Sequence, residues 1–265
     1  MMLQNVHHAI QLLLLILLSS TVLSTETDDM FSDLPDARKK ELLEAYSKSD
    51  VLIVHQKLAD LRRKWMEKLR SKDAADPQQP RRRVPNRIQL EIPPEEGSPT
   101  VFPIHEINRN ANLSEFMYQA DMVLTISQAE QLGNNNEDFR AKRQAYRDIF
   151  YPNTIWGRTV FYFFDQSATS DVRAALSAAA QFWQQNTCIT FTEDSTALNR
   201  IRVFKGDGCY SYVGKIGGQQ DLSLGSGCES VGTAAHELGH ALGFFHSQSR
   251  FDRDSAIDIV VANIQ

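Results

Sequence analysis

The sequence predicts an α+β fold, a small mixed sheet backed by helices and preceded by a partly helical amino-terminal segment. Three observations predict it. Residues 35–71 are rich in charge and carry Val54, Leu58, Leu61, Trp65 and Leu69 at three- and four-residue steps, the period of one helix face. Residues 73–100 hold Pro77, Pro80, Pro85, Pro93, Pro94 and Pro99 with little periodicity, which reads as a linker. Beyond residue 158, short β-branched and aromatic runs alternate with helical patterns. At 265 residues, 42% hydrophobic and 23% charged, the chain has room for one large domain or two small ones.

Taken in order, the first element is an apolar run over residues 10–18, broken only by Gln11 and followed by small and polar residues to Ser24. It is too short for a comfortable bilayer span. Val22 and Ser24 suit the −3 and −1 positions of a signal peptidase cut before Thr25, so residues 1–24 read as a secretory signal peptide. No Lys or Arg precedes the run, and a signal anchor is the alternative; stable membrane insertion is not expected. The charged helix over 35–72 reads as solvated on one face and packed by its apolar stripe on the other, with a membrane-surface helix as the second reading.

Arg140, Lys142 and Arg143 form R-x-K-R after a polar run, the pattern cut by proprotein convertases. Cleavage after Arg143 divides the chain into a propeptide (25–143) and a carboxy-terminal domain (144–265). In that domain, 159–164 suits a buried strand. Residues 171–185 carry Val172, Ala175, Leu176, Ala179 and Trp183 at helical spacing. Residues 189–192, 201–204 and 221–224 read as further short strands, and 231–242 as a second helix.

The net charge of −5 and pI near 5.8 supply no attraction for nucleic acid, and none is expected as a partner. Three cysteines suit an oxidising compartment. Cys209 and Cys228 flank a Gly-rich turn, and a bridge between them would stabilise the fold by about 3 kcal/mol in the chain-entropy account. Cys188 is left unpaired, either as a buried thiol behind a helix or as half of a pair whose partner lies elsewhere.

The densest chemistry is His236-Glu237-Leu238-Gly239-His240-Ala241-Leu242-Gly243-Phe244-Phe245-His246, which reads H-E-x-x-H-x-x-G-x-x-H. Four residues apart on a helix, His236 and His240 project from one face and can reach one ion, with Glu237 alongside as a general base. Gly243 can take the left-handed conformation that ends a helix, so that the chain turns and brings in His246. Three imidazoles leave a fourth position open, where zinc lowers the pKa of bound water to about 7. A chance cluster is the alternative, and the fixed glycine and third histidine argue against it. His7, His8, His55 and His105 are isolated and read as ordinary surface or signal residues.

With that motif, four further stretches carry a resemblance: Tyr151-Pro152-Asn153-Thr154-Ile155-Trp156-Gly157, Gly208-Cys209-Tyr210-Ser211-Tyr212-Val213-Gly214, Leu222-Ser223-Leu224-Gly225-Ser226-Gly227-Cys228 and Ser249-Arg250-Phe251-Asp252-Arg253-Asp254. From about residue 143 to 265 the sequence resembles the astacin family of metzincin zinc endopeptidases. The resemblance implies a metzincin-like amino-terminal catalytic subdomain: a small twisted mixed sheet, a backing helix and a zinc-site helix. It implies one Zn2+ per chain on His236, His240 and His246, Glu237 activating water, and hydrolysis of peptide bonds in protein or peptide substrates. It casts 208–214 as a cysteine-bearing loop and 222–228 as the edge strand on which an extended substrate lies by β-augmentation.

Upstream, Tyr118-Gln119-Ala120-Asp121-Met122 resembles the family's aromatic-x-Gly-Asp latency motif within a segment spanning 112–132. Asp121 would fill the open zinc position; an exposed loop aspartate is the alternative. Ala120 stands where the family has glycine, and Ser247 where it has a glutamate that anchors the new amino terminus. Asn112-Leu113-Ser114 is a glycosylation sequon. The family continues into a second subdomain with a methionine turn beneath the zinc, an assisting tyrosine and a cysteine partner for Cys188. The nineteen residues after His246 contain none of these. The expectation is a precursor truncated before that subdomain, with a catalytically inactive secreted protein acting by binding as the alternative.

Overall fold

The computed structural model of the chain describes residues 35–36, 39–40, 48–73, 103–133 and 152–249. The expected signal peptide, the proline-bearing linker beyond residue 73, the basic site at Arg140, Lys142 and Arg143, and the stretch from Arg250 onward lie outside the described residues.

Helix α1 (Lys48–Asp73) begins the described fold, and Val54, Leu58 and Leu61 of the expected stripe are buried. After α2 (Ile104–Asn110), a 3-10 turn (Ser114–Phe116), strand β1 (Met122–Val123) and α3 (Ile126–Gly133) complete the amino-terminal portion. The stripe of α1 packs on α3 and the 3-10 turn. Lys57 and Glu130 pair across the α1–α3 surface at 3.0 Å.

The carboxy-terminal portion runs β2 (Thr159–Phe164), α4 (Ser170–Asn186), β3 (Thr190–Glu193), β4 (Arg200–Phe204), β5 (Cys209–Tyr212), β6 (Gln219–Leu224) and α5 (Val231–Ala241). The six strands form one mixed sheet in the order β1-β5-β6-β4-β2-β3. Pairing is parallel for β2–β3, β2–β4, β4–β6 and β1–β5, and antiparallel for β5–β6. The α+β class therefore stands. Among the described residues no helix is long and apolar enough to cross a membrane.

Thr169 caps α4 by accepting from the Val172 amide, and Ser230 caps α5 by accepting from the Thr233 amide, each satisfying a donor that the first turn leaves free. Val172, Leu176 and Ala179 of α4 meet Val160, Val203 and Leu222 of the sheet in one core, which Leu238 of α5 shares. A second core joins Leu113, Met117 and Met122 of the amino-terminal portion to Phe204, Tyr210 and Tyr212 of the sheet. Burying a side chain of this size stabilises by about 2 kcal/mol, so the amino-terminal portion is held on the sheet by an apolar core of its own.

Three expectations are corrected. Residues 208–214 are not a loop, because 209–212 form β5. Residues 222–228 do not form an edge strand: β5 folds back antiparallel on β6, which leaves β6 between β5 and β4 with both sides paired. Strand β1 is the edge strand at that end of the sheet, and β5 lies between it and β6. Cys188 is exposed and free, not a buried thiol, because it follows the solvent-facing end of α4. Cys209 and Cys228 form a disulfide.

Candidate metal centre

Helix α5 carries His236, Glu237 and His240, and the helical step of four sets the two imidazoles side by side with Nε2 atoms 3.0 Å apart. The helix ends at Ala241, and Gly243 two residues on has a φ of 102°, where a side chain is disfavoured. The turn there brings the His246 Nε2 to 3.3 Å from that of His236. The end of β5 meets the same helix terminus: the Gly214 and Gly243 amides both donate to the His240 carbonyl, and Trp156 Nε1 donates to Ala241 O at 2.8 Å. Carbonyls that a helix terminus leaves free are thereby satisfied.

Asp121 comes in from the turn before β1. Its Oδ2 lies 3.2 Å from His236 Nε2 and 3.1 Å from His246 Nε2, and its Oδ1 lies 3.7 Å from His240 Nε2. One donor atom from each of these four residues lies within 4.8 Å of all the others. The outer ring nitrogens decide the tautomers. His240 Nδ1 faces the Phe244 carbonyl at 2.7 Å, which can only accept, so Nδ1 carries the proton and Nε2 presents its lone pair inward. His246 Nδ1 likewise faces Gln119 Oε1 at 2.9 Å.

Inward lone pairs and a carboxylate at such separations repel one another unless a cation lies between them. Ligands at the about 2.0–2.1 Å typical of zinc to nitrogen or oxygen form a tetrahedron with edges of about 3.3 Å. Four of the six separations among these atoms, at 3.0, 3.1, 3.2 and 3.3 Å, are close to that edge, and all lie within 4.8 Å. Three imidazoles and one carboxylate are a donor set that suits zinc. Asp121 Oδ1, the carboxylate oxygen nearer His240, is buried without a hydrogen-bond partner among the described residues.

Glu237 is fully buried, and neither carboxylate oxygen has a hydrogen-bond partner among the described residues. Burial first, and then the charge of Asp121, push its pKa well above the usual carboxylate value.

The structure thus brings together Asp121, His236, His240 and His246, with Glu237 beside them in α5. Asn112 is exposed in the turn after α2. Sequence reasoning missed Gln119, which holds His246 through Oε1 and reaches Ser249 Oγ through Nε2 at 2.8 Å. Its place between an aromatic residue and Ala120-Asp121 was its one available signal.

The family model for the astacin peptidases matches residues 148–265. That segment belongs to the astacin family. Zinc metalloproteinase nas-31 of Caenorhabditis elegans is 44% identical over 245 residues, covering 84% of this chain and 39% of that protein. Zinc metalloproteinase nas-32 of the same organism is 40% identical over 168 residues, 63% of this chain and 25% of its own length. The chain therefore spans two fifths or less of these curated relatives. The match to nas-31 is too long to fit within 148–265 and extends into the residues before it. Among solved structures, high choriolytic enzyme 1, a hatching enzyme zinc-protease from Oryzias latipes, is 34% identical, covers 46% of this chain and 64% of that one, and has a TM-score of 0.42. The cofactor of this astacin segment is zinc.

Proposed function

We propose that the chain is the precursor of a secreted zinc metalloendopeptidase that hydrolyses peptide bonds in proteins, held latent by its own propeptide. The observation that carries this is the convergence of Asp121 Oδ2 with the Nε2 atoms of His236 and His246 at 3.1–3.2 Å. His236, His240 and His246 would hold the zinc, and Asp121 would fill the remaining position. Bound zinc supplies a Lewis acid that polarises a peptide carbonyl and acidifies water.

This chain's residues do the rest. Asp121 excludes water and substrate from the open position until it leaves. While it stays, its charge and the burial of Glu237 favour the protonated form of the Glu237 carboxyl. When it leaves and water enters, both the burial of Glu237 and the repulsion from Asp121 are relieved, and Glu237 becomes a base able to take a proton from water and return it to the departing amine. Removing the propeptide also uncovers β5, whose backbone can hold an extended peptide by strand pairing.

The domain plan follows the same reading: signal peptide 1–24, propeptide 25–143, peptidase domain from 144. A proprotein convertase cuts after Arg143, and Asn112 carries a glycan on its exposed turn. The test is to express the full chain, process it after Arg143, measure zinc by elemental analysis and follow hydrolysis of a peptide library. Glu237→Ala is expected to lower the zinc-dependent rate at least about a hundredfold, and equal rates in the two proteins overturn the reading. In the unprocessed chain, Asp121→Ala is expected to raise the rate, and an unchanged rate removes Asp121 from the latency role.

A further inference from the structure

Strand β1 is only two residues long, yet the outward main-chain groups of β5 and its continuation are covered from Cys209 to Val213. Two buried carboxamides account for the difference. Asn108, at the end of α2, is fully buried, and its Oδ1 accepts from the Cys209 amide at 2.8 Å while its Nδ2 donates to the Cys209 carbonyl at 2.6 Å. The same Nδ2 donates to the Ala120 carbonyl at 2.8 Å, one residue before Asp121. An added Cβ on Gly208 would overlap Asn108 Oδ1, so this approach requires glycine there.

At the other end, Thr125 and Gln128 form a reciprocal helix cap, Gln128 N donating to Thr125 Oγ1 and Thr125 N to Gln128 Oε1. The remaining amide of Gln128, itself buried, donates to the Val213 carbonyl at 2.7 Å. Between the two, Ser211 N donates to Asp121 O at 3.2 Å, and β1 pairs with Ser211 and Tyr212.

We propose that Asn108 and Gln128 are positioning residues that clamp the inhibitory segment onto β5, each side-chain amide standing in for the peptide group of a further strand residue. Resting on the reading of Asp121 as the latency group, the inference gives that carboxylate its aim: Asn108 ties the Ala120 carbonyl to the Cys209 backbone, so the peptide preceding Asp121 has a fixed address on the sheet. A carboxamide carries the same donor and acceptor as a peptide bond. The ligand class that displaces the clamp is therefore an extended peptide offering its own N–H and C=O at Cys209 and its N–H at Val213.

The test is amide hydrogen exchange by mass spectrometry on the intact full chain, comparing Asn108→Asp, Asn108→Ala and Gln128→Ala with the parent. Asn108→Asp keeps the acceptor for Cys209 N but sets an oxygen against the Ala120 and Cys209 carbonyls. Loss of buried hydrogen bonds of this kind is expected to speed exchange of residues 118–123 and of the Cys209 end of β5 at least about tenfold. Gln128→Ala should open the Val213 end by a similar factor. Amides of β2 and β4 serve as the fold control and are expected to keep the parent rates. The clamp is overturned if 118–123 keeps its protection in both Asn108 variants, or if exchange rises equally in β2 and β4, which is what a purely structural role produces. Main-chain protection needs no hydrolysis to be read. An inert peptidase with an intact clamp and an active one without it are therefore distinct results.

Discussion

Two regions pack on the same sheet and are held by different kinds of contact. Between α4, α5 and the inner strands, the core contacts are apolar side chains at helical and strand periods, joined by a few polar bonds such as Trp183 Nε1 to the Ala235 carbonyl and by one bidentate pair. In that pair Arg202 meets Asp221 across the β4–β6 ladder at 2.7 and 2.8 Å. Between the amino-terminal portion and β5, an apolar patch is present too, but the groups nearest the site are polar and buried: Asn108, Asp121 and Gln128. A hydrogen bond to β5 can be exchanged for one from another peptide at little net cost, whereas the inner core can be exchanged for nothing. On the proposed reading, the difference separates the body that persists from the segment that is removed.

The sharpest way to break the comparison is to cut a cavity on each side. Leu238→Ala in the inner core is expected to cost about 2–5 kcal/mol in urea unfolding and to lower protection throughout α4, α5 and the sheet. Leu113→Ala, equally buried on the amino-terminal side, should cost a similar amount but release 103–133 while β2 and β4 stay protected. A single cooperative loss in both would merge the two regions into one. Next in size, replacing Cys209 and Cys228 together by serine is expected to cost about 3 kcal/mol, measured as a lowered thermal midpoint.

Smaller effects sharpen the same contrast. Ala120 has a φ of 81° and Gln119 one of 53°, both left-handed. That conformation costs an L-residue about 1 kcal/mol, so Ala120→Gly should steady the engaged segment by about that much and slow exchange of 118–123 about fivefold. Unchanged exchange would mean that the turn stores no strain. Thr169→Ala removes the α4 cap and should cost about 1 kcal/mol of the body alone.

Smallest is the Lys205–Glu229 pair at 3.0 Å. Burial raises the Glu229 pKa, but bonds from Lys205 and from backbone amides outweigh it and leave the pKa lowered. A depressed folded value means the pair stabilises above the unfolded carboxylate range near 4.5 and fades as pH falls through the folded value. Lys205→Met should therefore cost under about 1 kcal/mol at pH 7 and nothing measurable near pH 2, read from urea melts at the two pH values.

Much of the body was legible because its elements keep strict periods. Residues 159–164 form the expected strand, and the helix expected at 171–185 spans Ser170–Asn186, its apolar residues falling at three- and four-residue steps. Strand β5 escaped because all four of its residues are buried, which erases alternation, and because flanking Gly208 and Gly214 read as loop. The identity of the edge strand could not be read because neighbour order belongs to topology. Strand β6 opens with Gln219, Gln220 and Asp221, and the last two are buried by their neighbours rather than by their own apolarity. Of the site, the four converging residues stood in motifs. Asn108 stood in none, since a single asparagine in a charged stretch becomes a clamp only when a strand one hundred and one residues away comes alongside it.

The disulfide has a mechanical consequence. Cys209 is the first residue of β5, and Cys228 lies just ahead of the Ser230 cap of the helix that carries His236 and His240, with Cα atoms 5.7 Å apart. The bridge therefore ties the strand that β1 covers to the approach to the first turn of α5. A displacement of that strand is thereby shared with the helix that carries His236 and His240, which couples the two walls of the site covalently.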